Sequence, residues 1–571
     1  MAVVHHYGSR TPVPLLRLLL AVLLCAACTA AASPYTPAED THTRNFLLLL
    51  AKDLPALARI WDPSVDYCSW DGVWCTPSGV GIYLWNLGLS GTLPELDASL
   101  NASLIQLSVL SVSNSVEMRG SLPSSWSALK TLQFLYLKRT GLSGTLPAQW
   151  AGLVSLQRLD LSDTNVSGTL PPEWSRMTSL SDLDLHNTSI SGKLQPEWRD
   201  TPKLNTLDLS STKVSGTLPP EWSRMPSIRS LHLSKTGIAG TLPPELSGQH
   251  TLRVLALGNT DIAGTLPSEW GAMTSLHTLE LKGTHLAGTL PSAWAHMPDL
   301  YHLDLSSTNI TGTLPREWYH SSVQSLNLSH SGITGTLPGE LGASGSIWSL
   351  DVSHTALSGT LPSAWSSWRN MELLSVSHSA ISGTLPIEWS NWAKLRRLDV
   401  SGTAVNGTLP ALWRSMNKMQ VLMLNSTKLS GTIPESWGSM THLEVVSVAD
   451  TQVTGCMPIA WLCKRGLAAD KVGLTPAASG RCATASDICP PRGLVAILQW
   501  LMTVAAVACV VVVVAVAAHT GCQSRRPSGA PAIAHADVST WHRRTDTGGE
   551  AVPYSSVPRQ DPVSVQVQHD L

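Results

Sequence analysis

The sequence predicts an α/β-type solenoid, because one phrase returns at a nearly fixed interval through most of its 571 residues. The phrase S-G-T-L-P-P-E-W occurs at Ser167–Trp174 and again, unchanged, at Ser215–Trp222. Weaker copies place a glycine every 24 residues between Gly91 and Gly455, except for a first step of 29 and one step of 23. A constant period in the twenties is typical of coils that stack on their neighbours. We therefore expect a curved rod of about 16 coils with a parallel concave sheet.

Each coil follows one pattern of apolar residues. From Leu156 to Val166 the chain reads L-x-x-L-x-L-x-x-T-x-V, which is the pattern of a leucine-rich repeat. Alternation at Leu159 and Leu161 predicts a short parallel strand, and the turn that carries Trp174 is expected on the convex side. Most such repeats have asparagine where this one has Thr164, so we expect a column of structural hydroxyls that bond to the backbone.

The chain begins like a secreted protein. Arg10 and Arg17 precede or flank an apolar core that starts at Leu18, and small residues follow at Ala30–Ala32, as in a cleaved signal. Segment 494–518 contains 25 residues without a charge, enough for a helix of about 37 Å that spans a bilayer. Arg525 follows it, which favours a cytoplasmic tail. These features predict a single-pass protein at the plasma membrane with its ectodomain outside.

Composition therefore divides the chain into six segments. They are a signal peptide (1–32), an N-terminal repeat cap (33–80), the leucine-rich-repeat solenoid (81–455), a cysteine-containing C-terminal cap with juxtamembrane segment (456–493), a transmembrane helix (494–518) and a disordered cytoplasmic tail (519–571). The tail is rich in polar residues and too poor in large apolar ones to build a core.

Six cysteines lie in the two predicted caps, in pairs with six residues between the partners. The pairs are Cys68 and Cys75, Cys456 and Cys463, and Cys482 and Cys489. In an oxidising compartment we expect local disulfides, although the last four cysteines allow three connectivities. Zinc is the alternative, but it favours closer spacing and added histidine ligands.

The composition argues against several classes of function. Charged residues make up 14% of the chain and the net charge is −2, so nothing favours nucleic acid as a partner. The motifs of zinc proteases, serine hydrolases and phosphate loops do not occur in the sequence. We therefore expect no enzyme, no cofactor and no metal. His354 and His378 share a repeat column, which we interpret as a solvated face.

The candidate binding face is the outward side of the concave strands. An aspartate recurs there in one column, and like charges on adjacent strands repel. The recurrence of aspartate in this column despite the repulsion favours a binding site for a basic partner or a cation. The alternative interpretation is that the aspartates are solvated and are neutralised by neighbours such as Arg158. The residues of this column are Asp160, Asp184, Asp208, Asp304, Asp351 and Asp399.

Seven N-x-S/T sequons predict glycosylation of a secreted ectodomain. The sequence register places Asn327 and Asn425 on outward strand positions, where glycans would obstruct part of the concave face. The sequons begin at Asn101, Asn165, Asn187, Asn309, Asn327, Asn406 and Asn425.

Two phrases carry a family resemblance over about residues 40–490. The cap C-S-W-D-G-V-W-C at Cys68–Cys75 and the S-G-T-L-P phrase resemble plant-type leucine-rich repeats. The threonine column and P-P-E-W-S-R-M at Pro171–Met177 more closely resemble the promastigote surface antigen family of Leishmania and related kinetoplastids. This resemblance implies a glycosylated surface protein that contacts host or vector molecules. The chain departs from many members in lacking a long threonine-rich spacer and in ending with a predicted spanning helix and tail.

Three functions are consistent with these features. The first is a non-enzymatic surface glycoprotein whose repeat ectodomain binds proteins or glycans on host or vector surfaces. A single-pass receptor that recruits signalling partners through its tail is the second. The third is an inhibitor of secreted hydrolases.

Overall fold

The computed structural model describes residues 34–345, 347–462 and 502. All of these except Met502 belong to one compact unit within residues 1–489. The predicted signal peptide, the tail, nearly all of the predicted transmembrane segment, and Cys463, Cys482 and Cys489 lie outside the described residues. In the part of the chain that the structure describes, no helix combines the length and apolar character that crossing a membrane requires.

A helical cap begins the described chain. Helix Pro37–Asp53 starts with a capping box, in which Thr36 and Glu39 each bond the other's backbone N–H. The apolar face of this helix buries Phe46 and Leu50 completely or almost so. The remaining elements of the cap are the 3-10 turns Leu57–Arg59, Tyr67–Ser69 and Ala102–Leu104, the strand Val73–Thr76 and a disulfide between Cys68 and Cys75.

A 17-stranded sheet, called here the long sheet, runs through every coil. Its first strand pairs antiparallel with the second, and all later pairings are parallel. The strands are Val73–Thr76, Gly79–Tyr83, Leu107–Ser111, Phe134–Tyr136, Arg158–Asp160, Asp182–Asp184, Thr206–Asp208, Ser230–His232, Val254–Ala256, Thr278–Glu280, His302–Asp304, Ser325–Asn327, Ser349–Asp351, Leu373–Ser375, Arg397–Asp399, Val421–Met423 and Val445–Ser447.

The register of the long sheet follows from the period of the sequence. Leu159 lies opposite Leu183, and both are fully buried. The residues on either side point outward, so Asp184 faces Asp160 on one neighbouring strand and Asp208 on the other. The leucine-rich-repeat solenoid with a long parallel sheet is therefore confirmed.

The glycine-containing phrase forms a second sheet, which was not expected from the repeat pattern. This sheet has 14 strands, and one more parallel pair precedes it at Gly91–Thr92 and Met118–Arg119. Its strands are Ser143–Thr145, Asn165–Thr169, Ser189–Lys193, Lys213–Gly216, Gly237–Thr241, Asp261–Thr265, His285–Thr289, Asn309–Gly312, Gly332–Thr336, Ala356–Thr360, Ala380–Thr384, Ala404–Thr408, Lys428–Thr432 and Gln452–Thr454.

The glycine of each phrase is required by close packing within this second sheet. Gly168 has φ +83°, and a Cβ there would lie 2.8 Å from Cγ2 of Thr145 in the preceding coil. A side chain at this position would therefore be strained and would clash. Because glycine and proline usually interrupt strands, the phrase did not indicate a sheet.

After the second sheet, each coil turns through a short 3-10 helix that buries a tryptophan or, in Pro244–Gly248 and Gly339–Ser344, a leucine. Trp174 is fully buried, and its Nε1 donates to the carbonyl oxygen of Pro147 in the preceding coil at 3.0 Å. The helices are Ser124–Ala128, Ala148–Gly152, Pro172–Arg176, Pro196–Asp200, Pro220–Arg224, Pro244–Gly248, Ser268–Ala272, Ser292–His296, Arg316–His320, Gly339–Ser344, Ser363–Ser367, Ile387–Asn391, Ala411–Ser415 and Glu435–Ser439.

The threonine column has the structural role that its position predicts. Thr164 is 6% exposed, and its hydroxyl donates to the carbonyl oxygen of Leu161 at 2.7 Å. Ser331 and Ser379, the two serines of this column, make the same bond at 2.6 Å. Each hydroxyl satisfies a carbonyl of its own turn, so the column stabilises the fold.

A four-residue helix, Ile459–Leu462, follows the last coil. The buried Trp461 donates its Nε1 to the carbonyl oxygen of Trp437 at 3.1 Å, which ties this helix to the coil before it. Cys456 is disulfide-bonded.

Candidate functional site

The aspartate column on the long sheet closes the turn that follows each strand. Oδ1 of Asp160 accepts hydrogen bonds from the backbone N–H of Ser162 at 3.1 Å and from its hydroxyl at 2.6 Å. Asp208 accepts the same pair from Ser210, at 2.9 and 2.6 Å. Two hydrogen bonds per aspartate offset the repulsion between neighbouring carboxylates. Retention of the column therefore has a structural cause that does not depend on a ligand.

The six aspartates do not form one binding face. Asp304 and Asp399 are only 7% and 8% exposed, and each caps its turn through a serine two residues later. Asp351 caps its turn through Ser353 in the same way. Asn327 occupies the same column and accepts the same two bonds, so the turn requires the side-chain oxygen and not the charge.

Asp184 differs from the other aspartates because a histidine replaces the serine. Its Oδ1 accepts from the backbone N–H of His186 at 3.1 Å and lies 2.7 Å from Nδ1 of the ring. Burial raises the pKa of Asp184, against the hydrogen bonds from His186, which lower it. Burial alone would lower the pKa of His186, but its hydrogen bond to Asp184 and the charges of Asp184, Asp208 and Asp163 raise it.

Three side chains around Asp184 lie close enough together to resemble a set of metal ligands. Asp184, His186 and Asp208 each offer a ligand atom within 4.8 Å of the other two, and all three are half-buried. His186 Nδ1 is already engaged with Asp184, while Nε2 lies 3.8 Å from a carboxylate oxygen of Asp163. Because hydrogen bonds within the cluster account for this arrangement, we assign no metal to it.

An open groove of about 550 Å³ lies over these strands. Its N-terminal part is aromatic and basic, with an exposed Trp85, the half-buried Tyr136, and the exposed Lys138 and Arg158. The acidic part follows and is called here the acidic strip. It consists of the half-buried Asp160, Asp184 and Asp208.

Arg158, the example given above of a neutralising neighbour, pairs with Asp182 and not with Asp160. Its guanidinium lies 3.4 Å from a carboxylate oxygen of Asp182, one strand further along. Among the described residues, Oδ2 of Asp160 and of Asp208 accepts no hydrogen bond, so these oxygens are available to a ligand. Sequence reasoning missed the groove, because it followed only the aspartate column. Tyr136 occupies that column in the coil before Asp160 and carries no charge.

The sequons divide into exposed and half-buried asparagines. Asn101, Asn165, Asn187, Asn309 and Asn406 are exposed, whereas Asn327 and Asn425 are half-buried. The predicted position of Asn425 is wrong, since the strand there is Val421–Met423 and ends two residues earlier. Its Oδ1 is buried without a hydrogen-bond partner among the described residues. No sequon lies on the strands beneath the acidic strip.

The repeated strand, phrase and 3-10 turn define a leucine-rich-repeat fold. The family model "Leucine Rich Repeat" matches residues 155–177, 203–225, 299–321 and 322–344. The chain is similar to the "Surface membrane glycoprotein GP46/M-2" of Leishmania amazonensis, with 37% identity over 128 residues. That match covers 21% of this chain, which spans only 27% of the glycoprotein. The resemblance to kinetoplastid surface antigens is thereby confirmed.

Solved structures resemble the repeat fold. A "TDR receptor" superposes with a TM-score of 0.63 at 22% identity, covering 72% of this chain and 70% of the receptor. The "PEPR1-AtPEP1" structure has a TM-score of 0.60 at 22% identity, covering 77% of this chain and 69% of that one. At this level of identity the likeness shows the fold.

Proposed function

We propose that this protein is a non-enzymatic cell-surface glycoprotein whose repeat domain binds an extended segment of a protein ligand along the groove. The ligand would come from a host or vector surface, by analogy with the kinetoplastid surface antigens that the chain resembles. The acidic strip carries the proposal, because two of its carboxylates keep an unbonded oxygen facing the groove. The exposed face of parallel strands is the usual binding surface of solenoid proteins.

The charge pattern of the groove indicates the ligand's chemistry. A lysine or arginine of the ligand would meet the acidic strip, and an apolar or acidic residue would meet the aromatic and basic part. Charge-assisted hydrogen bonds to the strip would fix the ligand's register. None of these three strands carries a sequon, and the nearest exposed sequon, Asn187, lies on the turn after Asp184.

Replacing aspartate by asparagine tests the strip without disturbing the turns, as Asn327 shows. The triple variant Asp160→Asn, Asp184→Asn, Asp208→Asn should lose selection of basic residues from a random decapeptide library displayed on phage. Asp351→Asn is the matched control, since it makes the same turn outside the groove. Selection that is unchanged in the triple variant would contradict the proposed binding mode.

Display at the surface requires a separate measurement. Antibody labelling of intact, non-permeabilised cells that express the full chain should detect the repeat domain. Labelling only after permeabilisation would contradict the proposed localisation, independently of any result on the groove.

A further inference from the structure

Three histidines form a column on the turns that follow the long-sheet strands, far along the chain from the acidic strip. The rings of His330 and His354 stack at a centroid distance of 4.1 Å and an interplanar angle of 11°. His354 and His378 stack at 4.4 Å and 16°. All three side chains are exposed. We refer to these three residues as the histidine stack.

The repeat backbone holds the stack in place. The three residues have φ values of 54°, 53° and 51°, in the left-handed region. This column elsewhere contains mainly asparagine, aspartate, serine and glycine, of which Asn259 and Gly402 are examples. Because each turn repeats the previous one, the Cα positions bring the rings face to face without any bond between them.

The ring nitrogens of the stack have no partner among the described residues, unlike those of several other histidines. Nδ1 of His186 bonds to Asp184, and Nδ1 of His442 lies 2.7 Å from a backbone carbonyl oxygen. The neighbouring hydroxyls do not serve the rings, since that of Thr355 donates to the carbonyl oxygen of Val352. The stack therefore presents unengaged imidazole nitrogens to solvent.

The surroundings of the central ring favour its neutral form. Burial and the proximity of His330 and His378 lower the pKa of His354, against the charges of Asp351 and Asp399, which raise it. A neutral imidazole has a lone pair available for coordination, and imidazole is the commonest protein ligand for transition metals. Protonation of all three rings would place like charges about 4 Å apart, which is unfavourable.

We propose that the histidine stack binds a borderline divalent metal ion such as Cu²⁺, Ni²⁺ or Zn²⁺. One ion would be held between two neighbouring imidazoles, with His354 common to both pairs and water completing the coordination. Metal–nitrogen bonds of about 2.0–2.1 Å place two cis nitrogens about 3 Å apart. Exposed rings can close from their present spacing by rotation of the side chains. Imidazole ligands favour these ions over Ca²⁺ or Mg²⁺, and Cu²⁺ should bind most tightly.

The test is titration of the full chain, made without a polyhistidine tag, with CuCl₂ and separately with ZnCl₂. Asparagine is the substitution of choice, because Asn259 adopts the same left-handed position. His330→Asn or His378→Asn leaves one of two pairs, so the apparent affinity should fall about two-fold. His354→Asn removes both pairs and should weaken binding by about ten-fold or more. Electron paramagnetic resonance of the Cu²⁺ complex should show two coordinating nitrogens.

Three comparisons make the result decisive. The double variant His330→Asn, His378→Asn also removes both pairs, so its affinity should fall by the same ten-fold or more. This variant tests the stack independently if His354→Asn does not fold. His285→Asn, a single exposed histidine of the second sheet, should leave the affinity unchanged. Equal effects of His354→Asn and His285→Asn would overturn the proposal. Loss of binding in His186→Asn, with the stack variants unaffected, would also overturn it and would place the ion at the acidic strip.

Discussion

Replacing Thr164 by valine should destabilise its coil, because it removes one buried hydrogen bond and little else. The hydroxyl of Thr164 is the sole donor to the carbonyl oxygen of Leu161 among the described residues. Leaving a buried acceptor without a partner costs about 1–3 kcal/mol. The buried methyl group of valine that replaces the hydroxyl stabilises the folded state by up to about 0.8 kcal/mol. We expect a net loss of about 1–2 kcal/mol.

The same substitution five residues later is the control for this prediction. Thr169 is exposed and lies in the second sheet of the same coil. Thr169→Val should change stability by no more than about 0.5 kcal/mol. Thr164→Ser should keep the hydrogen bond, as Ser331 does at 2.6 Å, and should lose less stability than valine.

Urea unfolding gives the overall change, and amide hydrogen exchange locates it. Coils of a solenoid contact mainly their neighbours, so exchange should accelerate first within residues 156–178. If Thr164→Val and Thr169→Val have the same unfolding midpoint, the hydroxyl column does not stabilise the fold and this reasoning is wrong.

Three further substitutions test other contacts of the coil and the groove. Trp174→Phe removes the indole donor to the preceding coil and part of a buried ring, and should cost about 2–3 kcal/mol in urea unfolding. Gly168→Ala should destabilise by at least about 1 kcal/mol, because its methyl would clash with Thr145 at a positive φ. The raised pKa of His186 stabilises the folded state below the ordinary value of 6.5, and this contribution is lost as the pH rises above it. His186→Gln should therefore reduce the fall of the urea midpoint as the pH rises above 6.5, while adding no change of slope below 6.5. An unchanged slope above 6.5 would contradict the ion pair with Asp184.

The repeat register was predictable because it depends on spacing alone. The column that contains Asp160, Asp184 and Asp208 lies across neighbouring strands as the sequence indicates. The second sheet was not predictable in this way, because the positive φ of Gly168 is compatible with a strand only when neighbouring coils pair with it. Backbone contacts between coils, which the periodic pattern does not specify, decide that outcome.

The candidate site was likewise predictable in its residue positions but not in its side-chain contacts. The repeat spacing predicts where the aspartates lie on the sheet. It does not predict that Oδ1 of each aspartate accepts hydrogen bonds from its own turn. Asp208 faces the groove, whereas Asp399 is 8% exposed and has the guanidinium of Arg397, on its own strand, 3.4 Å from its Oδ2. The repeat period does not specify this difference. Of the histidine stack, only His354 and His378 were noted as sharing a column, and they were interpreted as a solvated face. Ring stacking could not be predicted, since it depends on the left-handed backbone of the turns.

The antiparallel strand Val73–Thr76 also determines how the long sheet ends. A parallel sheet with an open edge can accept a strand from another molecule and so act as a template for fibre growth. Here the first strand runs opposite to its neighbour Gly79–Tyr83, so the pattern of hydrogen bonds offered at this edge differs from that between coils. A second copy cannot continue the repeat at this edge in register. The coils can thus stack within one molecule without presenting the parallel hydrogen-bond pattern of the repeat at the N-terminal edge.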